Sequence, residues 1–344
     1  MMSGYTSLRL GPFSALVHTR SLCAGAVLLC VLVSTAVLAI GTGAYPVGIF
    51  DIGAVLRGEA DRIAELIVLD YRLPRLVAGL CSGAALGAAG AIFQSLLRNP
   101  LASPDVIGFT AGASCGAVAI VAVTGSSVFL VPGALGGGLI AAALAFALSW
   151  RGGLSPYRLV LIGIGLGFTL SAITNFLLTR TDILRAADAL KWLAGSIDAA
   201  SGDQVVLLVA GLALLLPFAL WQQFSLSRLQ IDEDVAAGLG IRVQRARVLI
   251  ALAGVALTGL AVSVAGPLPF VAFVSAPIAR RLAGTASAAV FTAAMVGAII
   301  TVLADLAATT LVAGTRLPTG VFTALVGAPY FVGLLIAQSR KGVM

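Results

Sequence analysis

The sequence predicts an all-α polytopic membrane protein of about ten transmembrane helices, and three observations predict it. Of its 344 residues, 60% are apolar and only 10% charged, with a mean hydropathy of +1.08; a soluble domain carries about 25% charged residues. The apolar residues gather into runs of about 20, enough to cross a hydrocarbon core as helix. The charges between runs favour one side of the membrane and then the other, as the positive-inside rule requires.

Residues 1–20 form a short polar lead with Arg9, His18 and Arg20. Ser21–Ile40 is the first run; a signal peptide would hold an apolar region of only about 7–15 residues, so it reads as a retained span with a cytoplasmic N-terminus. Tyr45–Asp70 reads as an external loop. Further spans follow at 76–97, 105–124, 128–149, 157–179, 204–223, 246–265, 270–283, 287–309 and 320–337. Residues 21–340 thus form one transmembrane domain, and 341–344 a cytoplasmic tail.

Orientation follows from the charges. On the inner side lie Arg9, Arg20, Arg98, Arg151, Arg158, Arg228, Arg242, Arg245, Arg247, Arg280, Arg281, Arg340 and Lys341, against only Asp105, Asp232, Glu233 and Asp234. The outer segments hold the remaining acids, and both termini are expected in the cytoplasm. The net charge of +7 is scattered over loops, which argues against a nucleic-acid partner.

The organising stretch is Tyr71–Ser114. Pro74 suits the first turn of its helix and Pro100 ends it. Gly79, Gly83 and Gly87, at i, i+4 and i+8, make a smooth stripe for close helix packing. Arg72 and Arg75 sit at the helix N-terminus, where the macrodipole disfavours cations. They read either as interfacial snorkelling arginines or as a docking site for a partner's carboxylates.

Two loops stand out. Within 181–203, Ile183, Ala187, Leu190 and Ala194 recur with helical period, predicting a surface helix in an external loop. In 224–247, Asp232, Glu233 and Asp234 precede an apolar turn, and Gly238 and Gly240 follow it, predicting a short cytoplasmic helix before the Arg-rich entry at Arg242. Gly266-Pro267-Leu268-Pro269 breaks the chain between spans, and Asp305 is an acid within a predicted span, near its outer end.

Arg72-Leu73-Pro74-Arg75, Gln94, Arg98–Pro104, Gly108–Ala113, Trp192–Ser196, Gly266–Val271, Ala304-Asp305, Leu317–Gly320 and Gly327–Pro329, in this order, resemble the permease family of binding-protein-dependent ABC importers for iron–siderophores, haem and cobalamin (FecCD-type). The pattern is closest to the ferric catecholate-siderophore branch. The resemblance implies a type II ABC importer permease domain in the plasma (inner) membrane. Its implied partners are two copies of an ATP-binding cassette ATPase, a periplasmic or lipoprotein substrate-binding protein and a second permease chain, with a heterodimer favoured over a homodimer. The implied substrate is an iron–siderophore complex. Carried over by position, Arg72, Arg75 and Arg316 would dock the binding protein. Asp232, Glu233, Asp234, Gly238, Gly240 and Arg242 would couple to the ATPase in the 224–247 loop. Gln94, Asn99 and Leu101 would belong to the gate and pathway. The chain departs from the family where Ile231-Asp232 replaces Leu-Gly, where Ala276-Pro277-Ile278 stands near the usual Pro-His, and where Thr309 replaces an arginine.

The missing chemistry narrows the class. The only lysines, Lys191 and Lys341, have no phosphate-loop context, so ATP hydrolysis would fall to a separate subunit. The lone His18 and four unspaced cysteines, Cys23, Cys30, Cys81 and Cys115, offer no metal site, cofactor site or nucleophile–base pair. An importer for cobalamin or haem is the alternative within the class. An ion-coupled secondary transporter is the alternative outside it, weakened because the predicted spans carry almost no central charge.

Overall fold

Every predicted run becomes a helix, because in hydrocarbon only intrahelical hydrogen bonds satisfy a spanning backbone. The computed structural model describes residues 5–10, 13–43, 45, 47–126, 129–198, 200, 202–231, 233–285, 287–311 and 317–339. Ahead of the bundle, β1 (Tyr5–Leu10) and β2 (Phe13–His18) pair antiparallel, so the lead holds a hairpin that the sequence reading lacked.

The helices are α1 (Thr19–Gly41), α2 (Ile49–Arg57), α3 (Arg62–Leu66), α4 (Leu73–Leu96), α5 (Phe109–Thr124), α6 (Leu130–Ser149), α7 (Pro156–Arg180), α8 (Ile183–Leu193), α9 (Gly202–Ile231), α10 (Glu233–Gly238), α11 (Val243–Ala265), α12 (Val271–Ala283), α13 (Val290–Thr310) and α14 (Thr319–Ser339). Among the described residues, eight helical stretches are long and apolar enough to span a membrane: α1, α3 through α4, α6, α7, α9, α11, α13 and α14. The other two expected spans are shorter: α5 has 16 residues and α12 has 13.

Two expectations about loops change. The supposed loop before α4 is largely helical: α3 runs through a π-turn (Ile67–Arg72) into α4, giving a continuous 35-residue helix, Arg62–Leu96. The segment after the sixth expected span, 204–223, is also helical further than expected, since α9 continues to Ile231.

α4 forms the centre. Of its membrane-crossing window 78% is buried, against 17% for α7 and α9. Small residues allow this. A Cβ on Gly83 would lie 2.4 Å from the Gly297 carbonyl oxygen of α13, and one on Gly87 would lie 2.1 Å from that of Ala293. Gly79 meets only side chains, Ile197 and Val302, at ordinary distance. The same close approach joins α5 to α6, where Gly112 and Gly116 face Gly133 and Gly137.

Candidate functional site

At the outer end, Arg75 is the hub. Its Nε and Nη2 donate to the two Asp305 carboxylate oxygens at 2.8 and 3.0 Å, and its Nη1 donates to Asp198. The Thr319 hydroxyl donates to the same Asp305 at 2.8 Å. One ion cluster thus ties α4, α13, the loop after α8 and the start of α14. Backbone bonds reinforce it: Gly320 N donates to Gly195 O at 3.0 Å, and Ser196 N to Ala265 O at 2.9 Å. Gly195, at φ +72°, could not be another residue, because a Cβ there would lie 2.0 Å from the Pro267 carbonyl oxygen. Arg72 donates to the Ile40 and Tyr45 carbonyls, both at 2.5 Å, and gathers the loop after α1 around itself. Arg316 lies outside the described residues.

The surface helix α8 forms where periodicity predicts it, capped by Asp182 accepting from Leu184 N at 3.0 Å. Its buried face differs from the expected one. Ala189 is buried, whereas Ile183 and Leu190 of the expected apolar stripe are exposed.

The inner end is built otherwise. α4 closes in a Schellman cap: Asn99 N donates to Gln94 O at 3.0 Å and Arg98 N to Ser95 O at 3.3 Å, with Arg98 in the left-handed region at φ 48°. The Asn99 side chain then accepts from Leu101 N at 2.9 Å, fixing the Asn-Pro-Leu turn. Gln94 is buried; it donates to Phe273 O at 2.9 Å and accepts from Arg280 at 2.5 Å, joining α4 to α12. Other inner arginines hold backbone carbonyls: Arg98 that of Leu229, Arg247 that of Leu154, and Arg20 that of Arg281. In the expected coupling segment, Asp232 and the side chain of Glu233 lie outside the described residues. Gly238 ends α10, Gly240 turns the chain at φ 81°, and Arg242 precedes α11.

Between the two ends lies a cleft of about 590 Å³, walled by residues 104–114, the Gly163–Asn175 face of α7, Thr258 and Val262 of α11, and Pro267–Ala272. Two breaks in helical backbone make it. After α4 the chain turns back into the bundle through a 3₁₀ turn, Pro104–Ile107, and α5 starts only there. After α11, Gly266–Pro269 descends and α12 begins beside Gly90, where a Cβ would lie 1.8 Å from the Ala272 carbonyl oxygen. Sequence reasoning placed Asp105 in an inner loop; the structure places it on this cleft wall. The prolines and glycines of the two breaks were the available signal, but they mark a bend without saying which way it turns.

A spanning bundle with a buried central helix, two half-depth helices and an internal cleft is the architecture of a membrane transport permease. A model of the FecCD transport family matches residues 28–337. The ferric enterobactin transport system permease protein FepG of Escherichia coli is 38% identical, over 87% of this chain and 91% of the relative. A probable siderophore transport system permease protein of Bacillus subtilis, YfhA, is also 38% identical, over 90% and 93%. Among solved structures, an inward-facing conformation of a metal-chelate type ABC transporter superposes with a TM-score of 0.81 at 28% identity, covering 92% of this chain and 99% of that one. The chain belongs to the FecCD transport family: it is a permease subunit of an ABC importer, resident in the plasma (inner) membrane.

Proposed function

We propose that this permease carries an iron–siderophore complex into the cytoplasm, delivered by a substrate-binding protein and driven by two ATPase subunits. The observation that carries the reading is the family match over residues 28–337, joined to 38% identity with permeases named for ferric enterobactin and siderophore transport. A second permease chain completes the pathway, and a homologous rather than identical partner is favoured.

The outer rim is the docking face, with Arg72, Arg75 and Arg316 as its cations. Because Arg75 already holds Asp198 and Asp305, docking proceeds by exchange: a partner carboxylate replaces Asp198, whose side chain is 37% exposed against 15% for Asp305. Arg–carboxylate pairing supplies the affinity. The segment 224–247 is the ATPase-coupling element, through Asp232, Glu233, Asp234, Gly238, Gly240 and Arg242. Asn99 and Leu101 form the inner gate, and Gln94 sets the position of α12 beside it.

Uptake of radiolabelled iron from several chelates, in cells with and without this chain, tests the reading. Loss of import for one iron–siderophore, with cobalamin and haem uptake intact, is expected; loss of cobalamin or haem uptake alone overturns the substrate. For docking, Arg75→Glu is expected to weaken binding-protein affinity for the reconstituted complex at least tenfold, and unchanged affinity would remove Arg75 from the docking face.

A further inference from the structure

The cleft contains a carboxylate to which the transport reading gives no task. A Cβ on Gly163 would lie 2.1 Å from the Val106 carbonyl oxygen, so the Asp105 turn packs against that glycine. Gly163 is seven residues into α7, which sets Asp105 about 10 Å inside the bundle. Its carboxylate accepts from the Thr110 hydroxyl and, at 3.4 Å, from Ser103. Among the described residues it takes part in no salt bridge. Ionisable groups at such depth face a bundle interior or water, and mark the route of a solute. Irregular backbone at that depth is tolerated only where protein buries it or water reaches it. Both irregular segments, before α5 and before α12, wall this one cleft, and Asp105 is exposed on its wall.

The charge balance is informative. The N-termini of α5 and α12 adjoin the cleft, each equivalent to roughly half a positive charge. Alone they would favour anions. Asp105 offsets them and adds an acceptor, while Ser114, Ser171, Asn175 and Thr258 contribute only neutral polar groups. We propose that the cleft is a transit site in which Asp105 sets specificity for a ferric chelate of low net charge carrying peripheral N–H, O–H or ammonium donors. The proposal rests on the iron-chelate reading above and deepens it by naming the charge class of the solute.

The test uses two derivatives of the transported ferric chelate that differ only in one group, a free ammonium or its N-acetyl form. Import into proteoliposomes holding the complete importer is measured with saturating binding protein. Asp105→Asn keeps the acceptor for Thr110 but removes the charge, and the ammonium-to-acetyl ratio of import rates is expected to fall about tenfold. Asn175→Asp adds a carboxylate elsewhere on the lining of the same cleft and is expected to raise that ratio. A ratio unchanged in Asn175→Asp, with import intact, overturns the proposal even if Asp105→Asn fails to assemble. Unchanged ratios in both variants overturn it equally. If the wild-type importer carries no iron chelate at all, the function reading falls first and this inference with it.

Discussion

The two ends of the bundle solve the same problem with opposite electrostatics. At the outer end, one guanidinium is shared by two carboxylates, and the cluster joins four segments at a single point. At the inner end, arginines donate to backbone carbonyls, Arg98 to that of Leu229 and Arg158 to those of Ser149, Arg151 and Gly153. The outer cluster sets one cation against two carboxylates and carries a net negative charge, so its strength depends on Arg75 being present. Carbonyls satisfy the donors of Arg98 and Arg158 without cancelling these two cations.

The comparison can be broken at its strongest point first. Asp305→Ala leaves Arg75 in a largely buried site with only Asp198, and is expected to destabilise the detergent-solubilised protein by about 2–3 kcal/mol. The readout is the thermal unfolding midpoint. Removing an inner arginine is expected to cost less. Arg158 donates to the carbonyls of Ser149, Arg151 and Gly153 at 3.0, 3.2 and 3.2 Å, and Arg158→Ala exposes three acceptors that water can reach. A loss of about 1 kcal/mol is expected, by the same measurement. The exposed pair Arg57–Glu59 sets the floor, with side chains 66% and 67% accessible. Glu59→Gln is expected to fall within about 0.5 kcal/mol of wild type. An Asp305→Ala loss no larger than that of Glu59→Gln would dissolve the distinction between the two rims.

Much of this was legible in the sequence, for a physical reason. Length and hydropathy fix a span because the bilayer allows almost no alternative backbone, so the helices appeared where apolar runs predicted them. The stripe Gly79, Gly83, Gly87 could be placed on one face because its spacing lies within a single helix. Its partner, Gly297 on α13, could not, since no local pattern names the facing helix. Depth was harder still. Asp105 follows Arg98 by seven residues and reads as an inner-loop acid, yet the chain re-enters the bundle before reaching it. The arginine cluster was half visible: Arg75 and Asp305 each looked unusual alone, but their pairing joins positions 230 residues apart in sequence. On α8 the period was right and the face was wrong, because the small residue Ala189 packs inward while larger side chains stay exposed.

The unbroken Arg62–Leu96 helix carries a mechanical consequence. It is a lever about 50 Å long. Arg75 stands toward one end and Gln94 at the other, held to α12 by two hydrogen bonds. Tilting such a rod by about 5° moves its far tip by about 4 Å, more than the length of a hydrogen bond. Its one irregular turn is the π-turn at Ile67–Arg72, which precedes Arg75. A displacement applied beyond that turn is expected to be taken up partly as bending, and one applied at Arg75 to carry further along the rod. The position of the pivot, rather than the number of contacts, therefore decides which touch on the outer surface the inner surface can feel.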